Sequence, residues 1–196
     1  MPPPGWLEAV ERRAPRSVAV WRTLDGEDAA TNADFHAELE RQVTAGSAPA
    51  LLAEADALAD ALADVLAGCS DEQLAAPGGE EDWTVAQVFA HATASRRWLV
   101  HAAALAARGE WPDEEPQVRP GIPGPADASR ELLATYLAKS RRSMATSAAA
   151  IAGHETEPCP LVHPLTGFLR CGDWLLFASV HDLMHLEQLH ALIGDG

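Results

Sequence analysis

Apolar residues recur at three- and four-residue spacing along four long stretches of the chain, and each repeat marks one buried face of an amphipathic helix. The first runs from about Ala50 to Ala67. Leu51, Leu52, Ala55, Leu58, Ala59, Leu62, Val65 and Leu66 share one side, and Glu54, Asp56, Asp60 and Asp64 take the other. The second opens at Thr84 and continues to Arg108. Its entry is specified twice: Thr84 followed three residues later by Gln87 makes a capping box, and Trp83 against Val88 makes a hydrophobic staple. The third is capped near Asp127 and reaches Ala152, with Leu132, Leu133, Tyr136, Leu137, Ser140, Met144 and Ile151 on its inner face. The fourth runs from Asp173, read as its N-cap, to Ile193, with Gly194 as its stop.

The segments between these helices differ in kind. Residues 109–125 carry five prolines interspersed with glycine, so neither neighbouring helix continues through them. A connection of that length lets consecutive helices avoid simple antiparallel pairing. Residues 154–172 form a loop that delivers the chain to the fourth helix, and no stretch reads as a strand. Residues 1–47 are an N-terminal helical extension, with short helices expected over Trp6–Arg13 and Asp34–Val43 and breakers at Asp25-Gly26 and Ala45-Gly46-Ser47. Trp6, Trp21 and Phe35 would pack it onto the main body, residues 48–196. At 196 residues the chain suits one core, and its wealth of alanine and leucine favours an all-α fold.

Charge removes several functions. The formal net charge is −15, and 13 of the 14 basic residues are arginine. Such a surface repels phosphate backbones, and Arg96-Arg97 and Arg141-Arg142 read as isolated pairs on solvated helix faces, so nucleic acid is excluded as a partner. The sequence shows no basic-then-apolar leader and no apolar run of about 18 residues, which sets the expectation of a cytoplasmic protein without membrane contact. Three cysteines, Cys69, Cys159 and Cys171, make no disulfide scaffold and read as reduced thiols.

Candidate chemistry lies with histidine. His181 and His185 stand one turn apart on the fourth helix, and two imidazoles at that spacing can converge on one cation. Among Phe177, Val180, Met184 and Leu189, two inward histidines would be costly unless something satisfied them. His91 lies on the stripe of the second helix that also holds Val88, Ser95 and Trp98, and it is the candidate third ligand. Three imidazoles leave a coordination position open for water or substrate, the pattern of catalytic sites. His190 is half a turn out of phase with His181, and His101 is rotated away from His91. A zinc knot of Cys159, His163 and Cys171 lacks the usual close pairing. His181-Asp-Leu-Met-His185 departs from the H-E-x-x-H protease motif, because Asp182 is shorter than the glutamate that motif requires.

Three segments in order resemble one family: Trp83-Thr-Val-Ala-Gln-Val-Phe-Ala-His91, then His163-Pro-Leu-Thr-Gly167, then Asp173-Trp-Leu-Leu-Phe with His181-Asp-Leu-Met-His185-Leu-Glu-Gln188-Leu. These look like the successive motifs of the DinB/YfiT superfamily of small bacterial metalloproteins, over about residues 50 to 193. The resemblance implies a four-helix bundle with a long crossover between its second and third helices. It also implies a divalent metal, zinc or nickel, on the residues matching His91, His181 and His185. Relatives often form homodimers. Several transfer low-molecular-weight thiols such as mycothiol or bacillithiol to small electrophiles, or isomerise a substrate with a thiol cofactor; others are regarded as hydrolases.

The expectation is therefore a metal-dependent, thiol-using transferase or isomerase acting on a small molecule. A metal-dependent hydrolase and a non-catalytic metal-binding stress protein are the alternatives. Gln188, one turn beyond His185, would orient a ligand or support His185. His163 would sit near the site in a structural hydrogen bond, and Tyr136 would offer a hydroxyl to a pocket or pack in the core.

Overall fold

The computed structural model describes residues 4–24, 33–79, 83–114, 116–119 and 121–193. Three short helices come first: α1 (Gly5–Arg13), α2 (Pro15–Trp21) and α3 (Ala33–Gln42). The long α4 (Ala48–Gly68) and the single turn α5 (Asp71–Ala75) lead to α6 (Val85–Ala107), and α7 (Arg130–Ile151) follows the proline-rich connection. A hairpin of β1 (Pro158–His163) and β2 (Gly167–Arg170) then runs directly into α8 (Cys171–Ile193). No described helix is long and apolar enough to cross a membrane. The Asp25-Gly26 breaker and the Gly194 stop lie outside the described residues.

Helix α4 and helix α6 occupy opposite corners of a four-helix bundle, and α7 and α8 each pack against both. The directions follow from contacts at the helix ends. The connection after α6 turns back along it, so that Gln87 near the start of α6 donates to the Gly124 carbonyl at 3.0 Å. Arg130, opening α7, donates to the Leu66 carbonyl at the end of α4 at 2.8 Å. Thus α6 and α7 set out from the same end and run in parallel, as the long crossover allows, while α4 runs against them. The return path is tight: a Cβ on Gly124 would lie 2.1 Å from the Cβ of Ala90, so glycine is required for the crossover to touch α6.

Helix entries show how the sequence specifies these elements. Thr84 caps α6 with the expected capping box, its Oγ1 accepting from Gln87 N–H while Gln87 Oε1 accepts from Thr84 N–H. For α7 the cap is Ser129 rather than Asp127, with Ser129 Oγ accepting from Leu132 N–H at 3.3 Å. Leu132, expected inside, is 38% exposed, because Leu133 and Leu137 take the buried stripe. Asp173 is not the N-cap of α8. The helix begins two residues earlier, and Asp173 Oδ2 reaches back to accept from Arg170 N–H at 2.8 Å while both its oxygens hold the Arg170 guanidinium.

One polar position assigned to the solvent side of its helix, and a second in the loop after α7, are buried. Glu54 is 3% exposed, and its carboxylate accepts from the amides of Arg16 and Ser17 at the start of α2. A carboxylate at a helix N-terminus satisfies amides that lack helical partners and meets the positive end of the dipole. Glu155 does the same for α4, accepting from Ala48 N–H at 3.1 Å and from Gly153 N–H at 3.0 Å. Burial works to raise the Glu155 pKa, but the amide donors prevail and hold it below the ordinary glutamate value.

The N-terminal helices share the core. Val20, Phe35 and Leu39 join Met144, Trp174 and Phe177 in one apolar cluster, and Leu7, Val10 and Val18 join Leu58, Val88, Leu133 and Leu186 in a second. Asp60 on α4 binds both Arg13 from α1 and Arg141 from α7, so Arg141 does not stand free on a solvated face. These contacts, Arg141 first, hold the Asp60 carboxyl below its ordinary range.

The hairpin corrects the expectation of no strand. In β1 the side chains of Cys159, Leu161 and His163 turn inward while those of Pro158, Pro160 and Val162 turn out, a two-residue period. Two prolines disguise that period, yet proline is tolerated at the edge of so small a sheet.

Candidate metal centre

His91, His181 and His185 are brought together by α6 and α8. One nitrogen from each ring lies within 4.8 Å of the others. The ring centroids of His91 stand 5.3 Å from His181 and 5.0 Å from His185, and those of His181 and His185 are 4.5 Å apart. The cluster sits where the two apolar cores meet: His91 falls between Ala90 of one and Leu99 of the other, and His181 between Val180 and Leu183.

Hydrogen bonds fix which nitrogens face the common point. His91 Nδ1 lies 2.8 Å from the Ile122 carbonyl oxygen in the crossover. A carbonyl only accepts, so Nδ1 carries the proton and His91 Nε2 keeps its lone pair. Gln188 Nε2 donates to the Gly78 carbonyl at 2.7 Å, which turns its Oε1 toward His185 Nδ1 at 2.9 Å. His185 Nδ1 must then donate, and its Nε2 is likewise left as an acceptor. That Nε2 stands 3.3 Å from His181 Nε2. His181 Nδ1 is buried without a hydrogen-bond partner among the described residues.

Burial keeps the His181 and His185 rings neutral. Burial pushes the His185 pKa down to about 4, against the Gln188 contact, which raises it, and with the help of His91. Burial and then the neighbouring His185 and His91 rings push His181 well below its ordinary value. At neutral pH burial thus favours the uncharged form of His181 and His185, and neutral imidazole is the form that ligates. Two of the three rings also carry the outer hydrogen bond typical of metal-bound histidine. The residues fit a divalent ion.

Gln188→Ala frees the His185 ring and should weaken metal binding about 10- to 100-fold, the usual cost of losing an outer partner. Competition against a chromophoric chelator measures it, and unchanged affinity would contradict this role.

Helix α6 and helix α8 are also joined beside the cluster by a fully buried ion pair. Arg96 Nε lies 3.1 Å from Asp182 Oδ2, and both side chains are 0% exposed. Arg96 is therefore not on a solvated face; its Nη2 donates to the Ala55 carbonyl at 2.9 Å. Burial pushes the Asp182 pKa up to about 7, opposed by Arg96. The pairing gives Asp182 a partner one helix away, turned from the role of a protease glutamate.

The remaining candidates are not part of the three-ring cluster, although His163 lies near enough for its charge to act on His181. His163 ends β1, is 7% exposed, accepts from Leu165 N–H at Nδ1 and packs edge-on against Trp174 and Phe177. Tyr136 packs on α7 against the cluster of Leu133 and Leu137. His190 stacks on Trp6 at 4.8 Å. Ser95 was visible in the sequence only as a stripe residue; its Oγ lies 3.4 Å from His91 Nε2. The crossover carbonyl of Ile122 had no signal at all, since a backbone acceptor leaves no mark on residue type.

His163 carries a pH dependence. Burial pushes its pKa from 6.5 down to about 4. The unfolded chain takes up a proton near 6.5 and the folded one only near 4, so stability should fall as pH drops through that window, by up to about 3 kcal/mol. Urea unfolding at pH 7 and near pH 4.5 should show a loss that His163→Gln reduces; an unaltered loss would contradict the assignment.

Comparison with known proteins agrees with the geometry. The family model described as DinB superfamily matches residues 54–189, a span that contains all three histidines. No curated protein and no solved structure matches the chain.

Proposed function

Because the chain belongs to the DinB superfamily, we propose that it is a metal-dependent enzyme that uses a low-molecular-weight thiol, of the mycothiol or bacillithiol type, to transfer sulfur to a small electrophile or to isomerise one. The observation that carries the reading is the convergence of three imidazole nitrogens, with the outer nitrogens of His91 and His185 tied to Ile122 and Gln188. His91, His181 and His185 would hold the ion, zinc or nickel. When bound, that ion supplies the Lewis acidity that favours a thiolate over a thiol at neutral pH.

The chain's own groups do the rest. The carbonyls of Ile122 and Gly78 hold His91 and His185 each in one tautomer, the second through Gln188. The Trp83 ring, 5.0 Å from that of His91, gives the site an apolar wall. The Ser95 hydroxyl stands beside His91 Nε2 as a polar contact for an incoming ligand. Three protein ligands leave room for a small molecule on the remaining side. Pairing of two copies into a homodimer belongs to the same reading, and light scattering in solution measures it.

Metal-loaded protein mixed with mycothiol, bacillithiol or glutathione and a reactive electrophile should give thiol-dependent conjugation with at least one thiol. Loss of that activity on chelation, with recovery on adding zinc or nickel, is expected. Turnover that ignores all three thiols but requires the metal would favour a hydrolase, and metal binding without turnover a non-catalytic bundle.

A further inference from the structure

We propose that Cys159 and Cys171 form a second chemical site, a thiol pair that a small hydroperoxide oxidises to an intramolecular disulfide. The hairpin base brings them together. Pro158 pairs with Arg170, and Cys171 N–H donates to the Glu157 carbonyl at 2.9 Å, so the residues flanking each cysteine lie side by side. Both are free, both are buried at 2% and 1% exposure, and both belong to one apolar cluster. Their thiols lie close enough to set each other's titration: Cys171 makes the Cys159 proton easier to lose, and Cys159 pushes that of Cys171 up.

The two sulfurs differ in access. Cys159 lines a cleft of about 350 Å³ together with His36, Leu39, Phe168 and Arg170, whereas Cys171, in the first turn of α8, does not line it. A small oxidant entering the cleft meets Cys159 first, and Cys171 is placed to resolve the product. The Cys159 thiolate attacks one peroxide oxygen, the O–O bond breaks, and the leaving hydroxide takes up the thiol proton as water. The Cys171 sulfur then attacks the Cys159 sulfenic sulfur as its thiol proton passes to the departing oxygen; the S–O bond breaks, the S–S bond forms, and a second water leaves. Two thiols are oxidised, one hydroperoxide is reduced, and the balance closes.

The pair is separate from the histidine cluster. Cys171 stands ten residues before His181 on one helix, roughly 15 Å at 1.5 Å per residue, too far to ligate the same ion. Closing the disulfide would pin the hairpin to the first turn of the helix that carries His181 and His185. Cys69 is an internal control, since it is buried in the other apolar cluster, and burial pushes its thiol up.

The test uses the full wild-type chain treated with graded hydrogen peroxide, alkylated and digested without reductant. The expected result is a Cys159–Cys171 cross-linked peptide, lighter by two hydrogens than its reduced parts and reversed by dithiothreitol, with Cys69 still alkylated. In Cys171→Ser, Cys159 should persist as a sulfenic acid that dimedone traps. Oxidation of Cys69 ahead of the pair, or linkage of Cys159 to Cys171 only in denaturant, would overturn the proposal. If the variant does not fold, the wild-type peptide map decides alone.

Discussion

His185→Ala should strip the divalent ion from the protein, whereas His190→Ala should leave it in place. The two residues are five apart on α8, yet they face different partners. His185 Nε2 stands 3.3 Å from His181 Nε2, and His190 stacks on Trp6 from α1. Removing one of three ligands leaves two imidazoles and forfeits a metal bond outright, so the loss should exceed the roughly 100-fold upper range of an outer-shell change. Equilibrium dialysis followed by elemental analysis measures it. Equal loss in both variants would mean that the ion is held by another face of the helix.

Asp182→Ala should cost about 3–5 kcal/mol of stability, because it leaves the buried Arg96 guanidinium without a counter-charge and with the Ala55 carbonyl as its remaining hydrogen-bond partner. Replacing both partners by apolar residues of similar size, as in Arg96→Met with Asp182→Leu, should recover most of that loss, since no buried charge then remains. Urea unfolding of chelator-treated protein measures both and keeps metal binding out of the comparison. A single-variant loss below about 1 kcal/mol would show that Arg96 reaches solvent when its partner is gone, against its complete burial.

Much of the bundle was legible because its signals are local. The capping box of Thr84 and Gln87, the apolar period of α4 and the one-turn spacing of His181 and His185 are set within a few residues. They survive folding unchanged. What the sequence hid depends on distant partners. Glu54 and Arg96 look like surface charges, and only the arrival of the α2 amides and of Asp182 makes their burial tolerable. Asp173 resembles an N-cap, but the preceding strand feeds α8 early enough to make it the third residue of the helix.

The same distinction divides the candidate site. The ligand residues could be read from helical phase, and the family motifs supplied His91 with the same answer. Their outer partners could not all be read. Gln188 was one turn from His185 and therefore visible, although the Gly78 carbonyl that aims it was not. Ile122 lies 31 residues from His91 in a proline-rich connection without periodicity. Its approach depends on Gly124 lying against Ala90, a fit that only the assembled bundle shows.

The central claim is that His91, His181 and His185 hold one divalent ion through their Nε2 atoms and leave one side open. Crystals of metal-loaded protein, with diffraction recorded on both sides of the zinc or nickel absorption edge, test it most directly. The account predicts one anomalous peak per chain, about 2.0–2.1 Å from each of the three Nε2 atoms, with any further ligand contributed from outside the chain. No peak among the three imidazoles of protein shown to contain the metal, or a peak bound by other side chains, would contradict it.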